Sequence, residues 1–520
     1  MVYVNNDSSQ SFLSVNKYDD DIPKDHISRL IKKMVKNDFK YLDDENEKSR
    51  GRAAYRKTSL LAIVLYAYYD NHTSCREMED LSMFHLVYKY LGDGIKPNER
   101  TFQRFIKDNK ETVSKVLKKT VKLAEEKGFT KFNHIAIDGT IIKANNSNYN
   151  IIKAKEIDKL IKIIRKQYDT ETIIEKGYKL SKSAYRFLTN PKLTDNEKIK
   201  KLQELKKELK KSGQKSIGIN DTDARWMLNK KGQTEISFNM QSAVDYESKM
   251  IVSVDINNKP TDHTQLEKQI ENVENTIEET PQVISADNGY HTNENINSIQ
   301  NKDIDLLIPT RKQNKQHNHK LKPNPFHKDH FKYNFETDTY TCPEGKELYY
   351  QNSYKIKNTK KWQHHKIKRV YYNKDCYQCP LKDLCTKSEV RIITEYENEL
   401  AKIIEQRMET PEAQEEYKKR SHTVEPPFGV LKQQKQLNTV HVTGQEEVKN
   451  RITLKAIGYN LKRLENMIKN NVEESNSLKN FANNLHRENP DIKFSFIIQW
   501  KNQNFVGHSS FIGNVMFLYF

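Results

Sequence analysis

Two short segments constrain this chain more than any others. HIAIDGTIIKANN runs from His134 to Asn146, and QVISADNGY from Gln282 to Tyr290. In each, an apolar run rich in β-branched residues ends on an aspartate, Asp138 or Asp287, and a glycine follows within two residues. Such runs predict strands. An ionised carboxylate at the end of an apolar strand is costly unless something pairs with it. The glycine lets the backbone turn sharply and keeps the space beside the carboxylate open. Carboxylates held on rigid strand ends can be aimed at one point. Two of them repel unless one is protonated or a divalent cation sits between them. Mg²⁺ suits such a place, since it takes few carboxylates and keeps positions for water and phosphate oxygens. A two-metal site of this kind serves phosphoryl transfer. A single Asp-Gly is usually only a turn, so the pair carries the reading.

A third carboxylate is available in EEYKKRSHTVEPPFGVLKQQ, where Glu425 lies between a basic cluster and Pro426-Pro427. Prolines suit the first turn of a helix, which predicts Glu425 at a helix start.

Charge points the same way. Lys and Arg number 88 against 70 Asp and Glu, a formal net charge of +18. An excess of this size favours a polyanionic partner, with nucleic acid first; a lysine-rich, AT-biased coding sequence is the plain alternative. At 30% charged residues and a mean hydropathy of −0.90, much of the chain must be solvated helix or loop. The N-terminus MVYVNNDSSQSFL lacks the pattern of a secretory signal. No run reaches the ~18 apolar residues of a membrane span; Leu60–Tyr69 is too short and reads as a buried helix. The expectation is a cytoplasmic protein with no membrane and no small-molecule substrate.

Around the two strands the chain reads as several blocks. Ile27, Leu30, Ile31, Met34 and Val35 recur at helical spacing. Ser74 with Glu77 has the capping-box pattern, and another helix begins after Pro97. Short helices joined by tight turns, with Arg100, Arg104 and Lys107 on the last, suit a helix-turn-helix reader; a plain helical bundle is equally consistent. A charged block, Lys153 to Lys215, places Ile157, Leu160, Ile161 and Ile164 on one helix face and Leu202, Leu205 and Leu209 on another, as in an inserted hairpin. Strands return at Glu235–Asp245 and Met250–Asn258. In TDHTQLEKQIENVE, Asp262 with Gln265 and Thr264 with Glu267 both offer helix caps. From Glu397 to about residue 470 the chain reads as helical. The aromatic end, FIGNVMFLYF, follows no clear periodicity.

Over roughly residues 20–470 the sequence resembles the DDE transposases of bacterial insertion sequences. IPKDHISRLI and the stretch from GRAAYRKTSLL to PNERTFQRF resemble that family's N-terminal domain. HIAIDGTIIKAN, VISADNGYHTNENI and YKKRSHTVEPPFGVLK resemble its two Asp motifs and its Glu motif. DTDARWM, SFNMQSAVD, KPTDHTQL and LKAIGYNLKRLENM resemble the elements between and after them.

The resemblance implies an α/β (α+β) protein: a helical DNA-binding domain at 21–125 after an arm at 1–20, and an RNase H-like core from 131–150, 220–310 and 400–470. The core is interrupted by a charged helical insertion at 151–219 and a Cys- and His-containing insertion at 311–399, and a tail follows at 471–520. It makes Asp138, Asp287 and Glu425 the catalytic carboxylates, holding Mg²⁺ or Mn²⁺. The family's Tyr-x2-Arg-x3-Glu-x6-Lys signature is met by Tyr417, Arg420, Glu425 and Lys432, except that four residues rather than three separate Arg420 from Glu425. Tyr417, Arg420 and Lys432 are then expected on DNA phosphates. Lys143, Asn145, Asn146 and Arg225 follow or flank the strands and are candidates to touch DNA, with solvated strand ends the equal alternative. Asp262 and His263 fall near the site in the family's pattern, although a capping role is sufficient for Asp262. The implied activity is cleavage at the element's ends and strand transfer into target DNA by a homodimer on double-stranded DNA. A DNA-binding protein that keeps the fold without cutting, and an RNase H-like nuclease, are the alternatives.

The cysteines stand apart from this. Cys342 in TYTCPEGKEL and Cys376, Cys379 and Cys385 in KDCYQCPLKDLC could close a tetrahedral Zn²⁺ site, with His364 and His365 as competing ligands. Reduced, unliganded thiols are the alternative. Cys75 reads as a small helix residue.

Overall fold

The computed structural model describes residues 18–44, 54–229, 231–356, 367–433, 437, 439–488, 508–512 and 515–519. His364 and His365 and most of the N-terminal arm lie outside the described residues. The chain divides into two compact units. One comprises residues up to Lys131, Glu247–Val254 and Pro427 onward; the other comprises Phe132–Tyr246 and Asp255–Pro426.

The first unit is helical. Helix Ile27–Asp38 buries Ile27, Ile31, Met34 and Val35, the face that the spacing predicts. Helix Lys57–Tyr69 is buried from Ser59 to Tyr68, as an all-round apolar helix must be. A 44-residue helix, Gln445–Glu488, packs against it and continues past residue 470. Gly458 permits the contact, because a Cβ there would lie 2.3 Å from the Tyr68 carbonyl oxygen. Ser74 is the N-cap of helix Cys75–Phe84, but its side chain makes no capping bond, so the expected capping box is absent. Helix Glu99–Asp108 is capped by Asn98, which accepts from Thr101 N–H at 2.9 Å. Arg100, Arg104 and Lys107 are exposed on its polar face.

The second unit is a mixed α/β body. Strand β1 (His134–Lys143) leads to β2 (Ile151–Lys153), which pairs with β3 (Ser216–Gly218) across the neck of the helical insertion. Inside the insertion Ile157, Leu160 and Ile164 pack with Leu202, Leu205 and Leu209 in one cluster. The buried amide of Asn146 closes the neck: it donates to the Ser147 and Asn150 carbonyls and accepts from Asn220 N–H. That structural duty occupies a residue expected near DNA.

The central sheet continues with β4 (Arg225–Leu228), β5 (Thr234–Asp245), β6 (Ile251–Asn257), β7 (Val283–Ala286) and β8 (Asp305–Leu307). Its order is β4-β5-β1-β7-β8, with β6 beside β5. Strand β5 runs antiparallel to β1, and β7 and β8 run parallel to it.

The cysteine-bearing insertion is itself a five-stranded antiparallel sheet: β9 (Lys332–Asn334), β10 (Thr339–Thr341), β11 (Glu347–Lys355), β12 (Ile367–Tyr372) and β13 (Ile393–Tyr396). Its small core is Phe331, Tyr340, Leu348, Tyr371 and Ile393. Composition suggests a polar loop here, yet the tyrosine-rich runs ELYYQNSYK and RVYY supply the strand-forming residues. In the C-terminal tail His508–Ile512 pairs antiparallel with Val515–Tyr519.

Helix Pro411–Gln433 runs through Pro426 and Pro427. Glu425 therefore lies inside a helix and does not begin one. The two prolines lack N–H groups, so the helix gives up two of its own hydrogen bonds there.

Candidate functional site

The site is built on β1 and β7. Their parallel register pairs Ile137 with Ala286. The next residue along each is an aspartate, so Asp138, in the middle of β1, and Asp287, just past the end of β7, stand side by side on neighbouring strands, which lie ~4.8 Å apart. The residues leading to Asp138 are fully buried and Asp138 itself is half-buried. The apolar run anchors each strand; β7 ends before Asp287, whereas β1 runs on past Asp138 to Lys143 and buries Ile142, so the strand end expected at Asp138 is not found.

Each aspartate has a local partner. Arg420 Nη2 donates to Asp138 Oδ1 at 2.9 Å, and both side chains are largely buried. Asp287 Oδ1 accepts the Gly289 N–H at 2.8 Å, fixing the turn after β7. Burial works against the Arg420 charge, but Asp138, Tyr417 and Asp287 more than offset it and raise its pKa. The guanidinium thus stays charged beside the two carboxylates. Burial also pushes the Tyr417 hydroxyl up; its ring packs near Leu307, Met408 and Ala413.

The helix that carries Arg420 is pinned to the strands by His134. Its Nδ1 is 2.8 Å from Glu416 Oε1 and its Nε2 is 2.9 Å from Ser285 Oγ on β7. Tyr417 and Arg420 thereby fall on the side of the helix that faces β1 and β7. Glu425 is five residues past Arg420, about 140° further round the helix, and is exposed. The structure brings Asp138, Asp287, Tyr417 and Arg420 together, and leaves Glu425 on the outer side of the same helix.

A further carboxylate, read from sequence as a helix cap, sits at this place. The N-cap of helix Leu266–Ile277 is Gln265, and it makes no side-chain capping bond; neither Asp262 nor Thr264 caps it. Asp262 Oδ1 instead accepts from Gln241 Nε2 at 2.6 Å and from Asn239 Nδ2 at 2.9 Å. The buried Tyr290 hydroxyl donates to Gln241 Oε1. Burial, together with the charges of Asp262, Asp138 and Asp287, holds that hydroxyl well above its usual pKa, so it remains a donor. Gln241 lies opposite Gly139 in the antiparallel register. A Cβ at Gly139 would fall 2.7 Å from Gln241 Nε2 and 2.8 Å from Asp262 Oδ1. A Cβ at Gly289 would fall 2.9 Å from Asp287 Oδ1 and 3.7 Å from Asp262 Oδ2. Gly139 is needed because Gln241 and Asp262 occupy the adjoining space, and Gly289 because the Asp287 carboxylate folds back over it. The sequence did carry a sign of this: Asn239 and Gln241 are polar residues two apart, hence on one face, in an otherwise buried strand.

The other expected DNA contacts are dispersed. Lys143 lies 3.5 Å from Glu235. Arg225 turns its guanidinium to the Thr222 and Ala224 carbonyls at 2.6 and 2.9 Å, a local structural use. Lys432 lies over the Phe428 ring; it belongs to the first unit, to which the exposed Arg100 and Arg104 also belong.

The four late cysteines gather at one end of the second sheet. Cys342 follows β10 and the other three follow β12; β10 and β12 end on the same side because β11 runs antiparallel to both. Asn373 Nδ2 donates to the Glu347 carbonyl at 2.8 Å, tying the two loops together. Lys346 N–H approaches Cys342 Sγ at 3.3 Å. Burial raises the Cys385 pKa, and Cys376, Cys342 and Cys379 add to the rise. Among the described residues, no group of three or more His, Cys, Asp or Glu side chains is arranged to hold a metal ion. Neither the two aspartates nor the thiols are closed around a centre in this conformation.

By fold and site the protein is of a definite class: a mixed α/β body with aspartates on neighbouring strands and a helix-borne arginine beside one of them, joined in sequence to a basic helical unit. Known families narrow that class. Residues 341–465 match the family model of a transposase DDE domain, and residues 16–108 match that of a transposase domain, DUF772. Both matches support a DDE-type insertion-sequence transposase. The first takes in Tyr417, Arg420, Glu425 and the four late cysteines, and stops short of both Asp138 and Asp287. No curated protein matches the chain.

Proposed function

We propose that this protein is a cytoplasmic DNA transposase. It binds the ends of its insertion sequence and performs divalent-cation-dependent strand cleavage and strand transfer, acting on double-stranded DNA as a homodimer. The observation that carries the reading is the adjacency of Asp138 and Asp287 across the neighbouring parallel strands β1 and β7, with Arg420 beside Asp138. The antiparallel pair β1 and β5, with β7 and β8 parallel to β1, supports an RNase H-like core.

The donor set suits Mg²⁺ or Mn²⁺: hard carboxylate oxygens on rigid neighbouring strands, beside glycines that keep the space clear. Asp138 and Asp287 would hold the cation; Glu425, the third carboxylate that the resemblance implies, would have to turn in from the outer side of its helix to join them. When bound, the cation would supply activation of the attacking oxygen and neutralisation of charge on the phosphate. The chain's own residues prepare that chemistry. Arg420 compensates Asp138 and can offer its remaining donors to a phosphate oxygen. Tyr417, kept protonated by burial, can donate alongside it. Exposed Arg100 and Arg104 position duplex DNA by its backbone.

The test is strand cleavage on a DNA fragment carrying the reading frame with its genomic flanks. Discrete Mg²⁺-dependent cuts at the flanks by the wild type, abolished in Asp287→Ala, are expected. Specific binding without cutting, in Mg²⁺ or Mn²⁺, would favour a non-cutting DNA-binding protein. The thiols at the end of the second sheet support a structural Zn²⁺ site. One zinc per chain, lost in Cys376→Ser/Cys379→Ser, is expected from metal analysis, and none would leave reduced thiols.

A further inference from the structure

We infer that Asp262 is an additional carboxylate of the cation pocket, facing the same space as Asp138 and Asp287. The inference rests on the cation-dependent reading above. Its starting point is the way Asp262 is held. Two side-chain amides, from Asn239 and Gln241, donate to a single oxygen, Oδ1. The hydroxyl of Tyr290 fixes which way the Gln241 amide points, since it donates to Oε1 and leaves Nε2 for Asp262.

The backbone of this residue is also secured. The buried Asn295 donates to the Asp262 carbonyl at 3.2 Å and to the Tyr290 carbonyl at 2.9 Å, and accepts Leu266 N–H at 3.2 Å. One side chain thus locks the loop bearing Asp262 to the turn that follows Asp287. Thr292 Oγ1 adds a bond to the His263 carbonyl at 2.7 Å. A surface helix cap needs none of this.

The second oxygen, Oδ2, looks toward Asp287. The point where a Gly289 Cβ would stand is 2.9 Å from Asp287 Oδ1 and 3.7 Å from Asp262 Oδ2. On the other side, the Gly139 Cβ position is 2.8 Å from Asp262 Oδ1. Asp262 therefore adjoins Gly139, one residue after Asp138, and lies in van der Waals reach of the Cβ position of Gly289, two residues after Asp287. Three half-buried carboxylates thus border one space, and Arg420 is bonded to Asp138 alone. If all are ionised, the charge left over is that of two carboxylates, and a single divalent cation neutralises it. Glu425 lies on the outer side of its helix, so Asp262 is the third carboxylate already within the pocket.

The experiment is Mn²⁺ binding to the full chain, followed by the electron paramagnetic resonance of free Mn²⁺ after chelator treatment. Wild type is compared with Asp138→Asn, Asp287→Asn, Asp262→Asn and, as a control, Asp158→Asn on the helical insertion. Asp262→Asn keeps an oxygen for the two amides and removes the charge. At least about a ten-fold loss of Mn²⁺ affinity is expected for Asp262→Asn, comparable to that of Asp138→Asn, with none for Asp158→Asn. Thermal unfolding in chelator separates charge from architecture: Asp262→Asn should melt at or above the wild-type temperature, because one of three repelling carboxylates is gone. Unchanged Mn²⁺ affinity in Asp262→Asn, with losses in Asp138→Asn and Asp287→Asn, would overturn the inference and leave the cation-dependent reading standing. Absence of Mn²⁺ binding by the wild type, or equal binding by all variants, would overturn both.

Discussion

At the scale of single residues, the site depends on atoms that are missing. Gly139 keeps clear the space into which Gln241 and Asp262 project, and Gly289 that over which the Asp287 carboxylate folds back. Gly139→Ala would set a methyl carbon within 2.8 Å of both Gln241 Nε2 and Asp262 Oδ1. Overpacking of this kind costs about 1–3 kcal/mol, and it falls on the positioning of the carboxylates. The expected result is a drop in strand cleavage of at least about ten-fold with a modestly lowered urea midpoint, measured on the same preparation. Glu405 offers a different test. Burial raises its carboxyl to about 7 from an ordinary 4.5, and Glu395 adds to the rise. The folded state therefore keeps a proton that the unfolded chain releases. Stability falls as pH rises from about 4.5 to about 7, and levels off above that. Glu405→Gln removes the penalty. Its unfolding free energy should exceed the wild type's by about 2 kcal/mol at pH 8, with no gain at pH 4.5; a pH-independent difference would show that the carboxyl is not buried in this way.

At the scale of elements, the helix Gln445–Glu488 does more than pack. Asn460 is fully buried, accepts Ile251 N–H at 2.9 Å and donates to the Ile251 carbonyl at 2.8 Å. Its amide takes the place of a neighbouring strand. Asn460→Leu leaves both backbone groups buried without partners, at about 1–3 kcal/mol each. Denaturant unfolding should show a loss of about 2–4 kcal/mol. Elements of this kind also mark how far the sequence could be read. The helix faces at Ile27–Val35, Ile157–Ile164 and Leu202–Leu209 follow from spacing alone, because apolar period and burial are the same fact. The apolar strands leading to Asp138 and Asp287 were legible for the same reason, but only β7 ends at its aspartate; β1 runs on to Lys143. The path of the chain around Glu425 was not: Pro426-Pro427 reads as a helix start, yet the surrounding helix overrides the local preference. The sheet in residues 332–396 was hidden by its lysines and asparagines, since only five buried residues define its core. Asp262 was misread because a cap and a site carboxylate use the same residue type, and only the register of β5 against β1 reveals which it is.

For the whole molecule, charge governs the partner. A formal net charge of +18 should make DNA association steeply salt-dependent. A protein that makes six to ten phosphate contacts loses roughly 10³–10⁵ in affinity between 50 and 200 mM salt, and a fall of this order is expected for binding to element-end DNA. Arg100→Ala/Arg104→Ala should weaken binding about uniformly across sequences and reduce the salt slope by about two, as read by fluorescence anisotropy. A double variant with an unchanged slope would remove that helix from the DNA interface.

The order in which the chain supplies its central sheet also sets when the protein becomes what it is. Strand β1 must wait for β5, beyond an entire helical insertion, and Asp138 meets Arg420 from 282 positions away. At roughly 5–20 residues per second of synthesis, tens of seconds separate the appearance of the first carboxylate from that of its arginine. Throughout that interval the emerging polypeptide holds the acidic residues without the cationic one. A prematurely terminated product lacking the last fifth of the chain is in the same position permanently. Translation acts as a clock on assembly of the site, and a broken message yields an inert fragment.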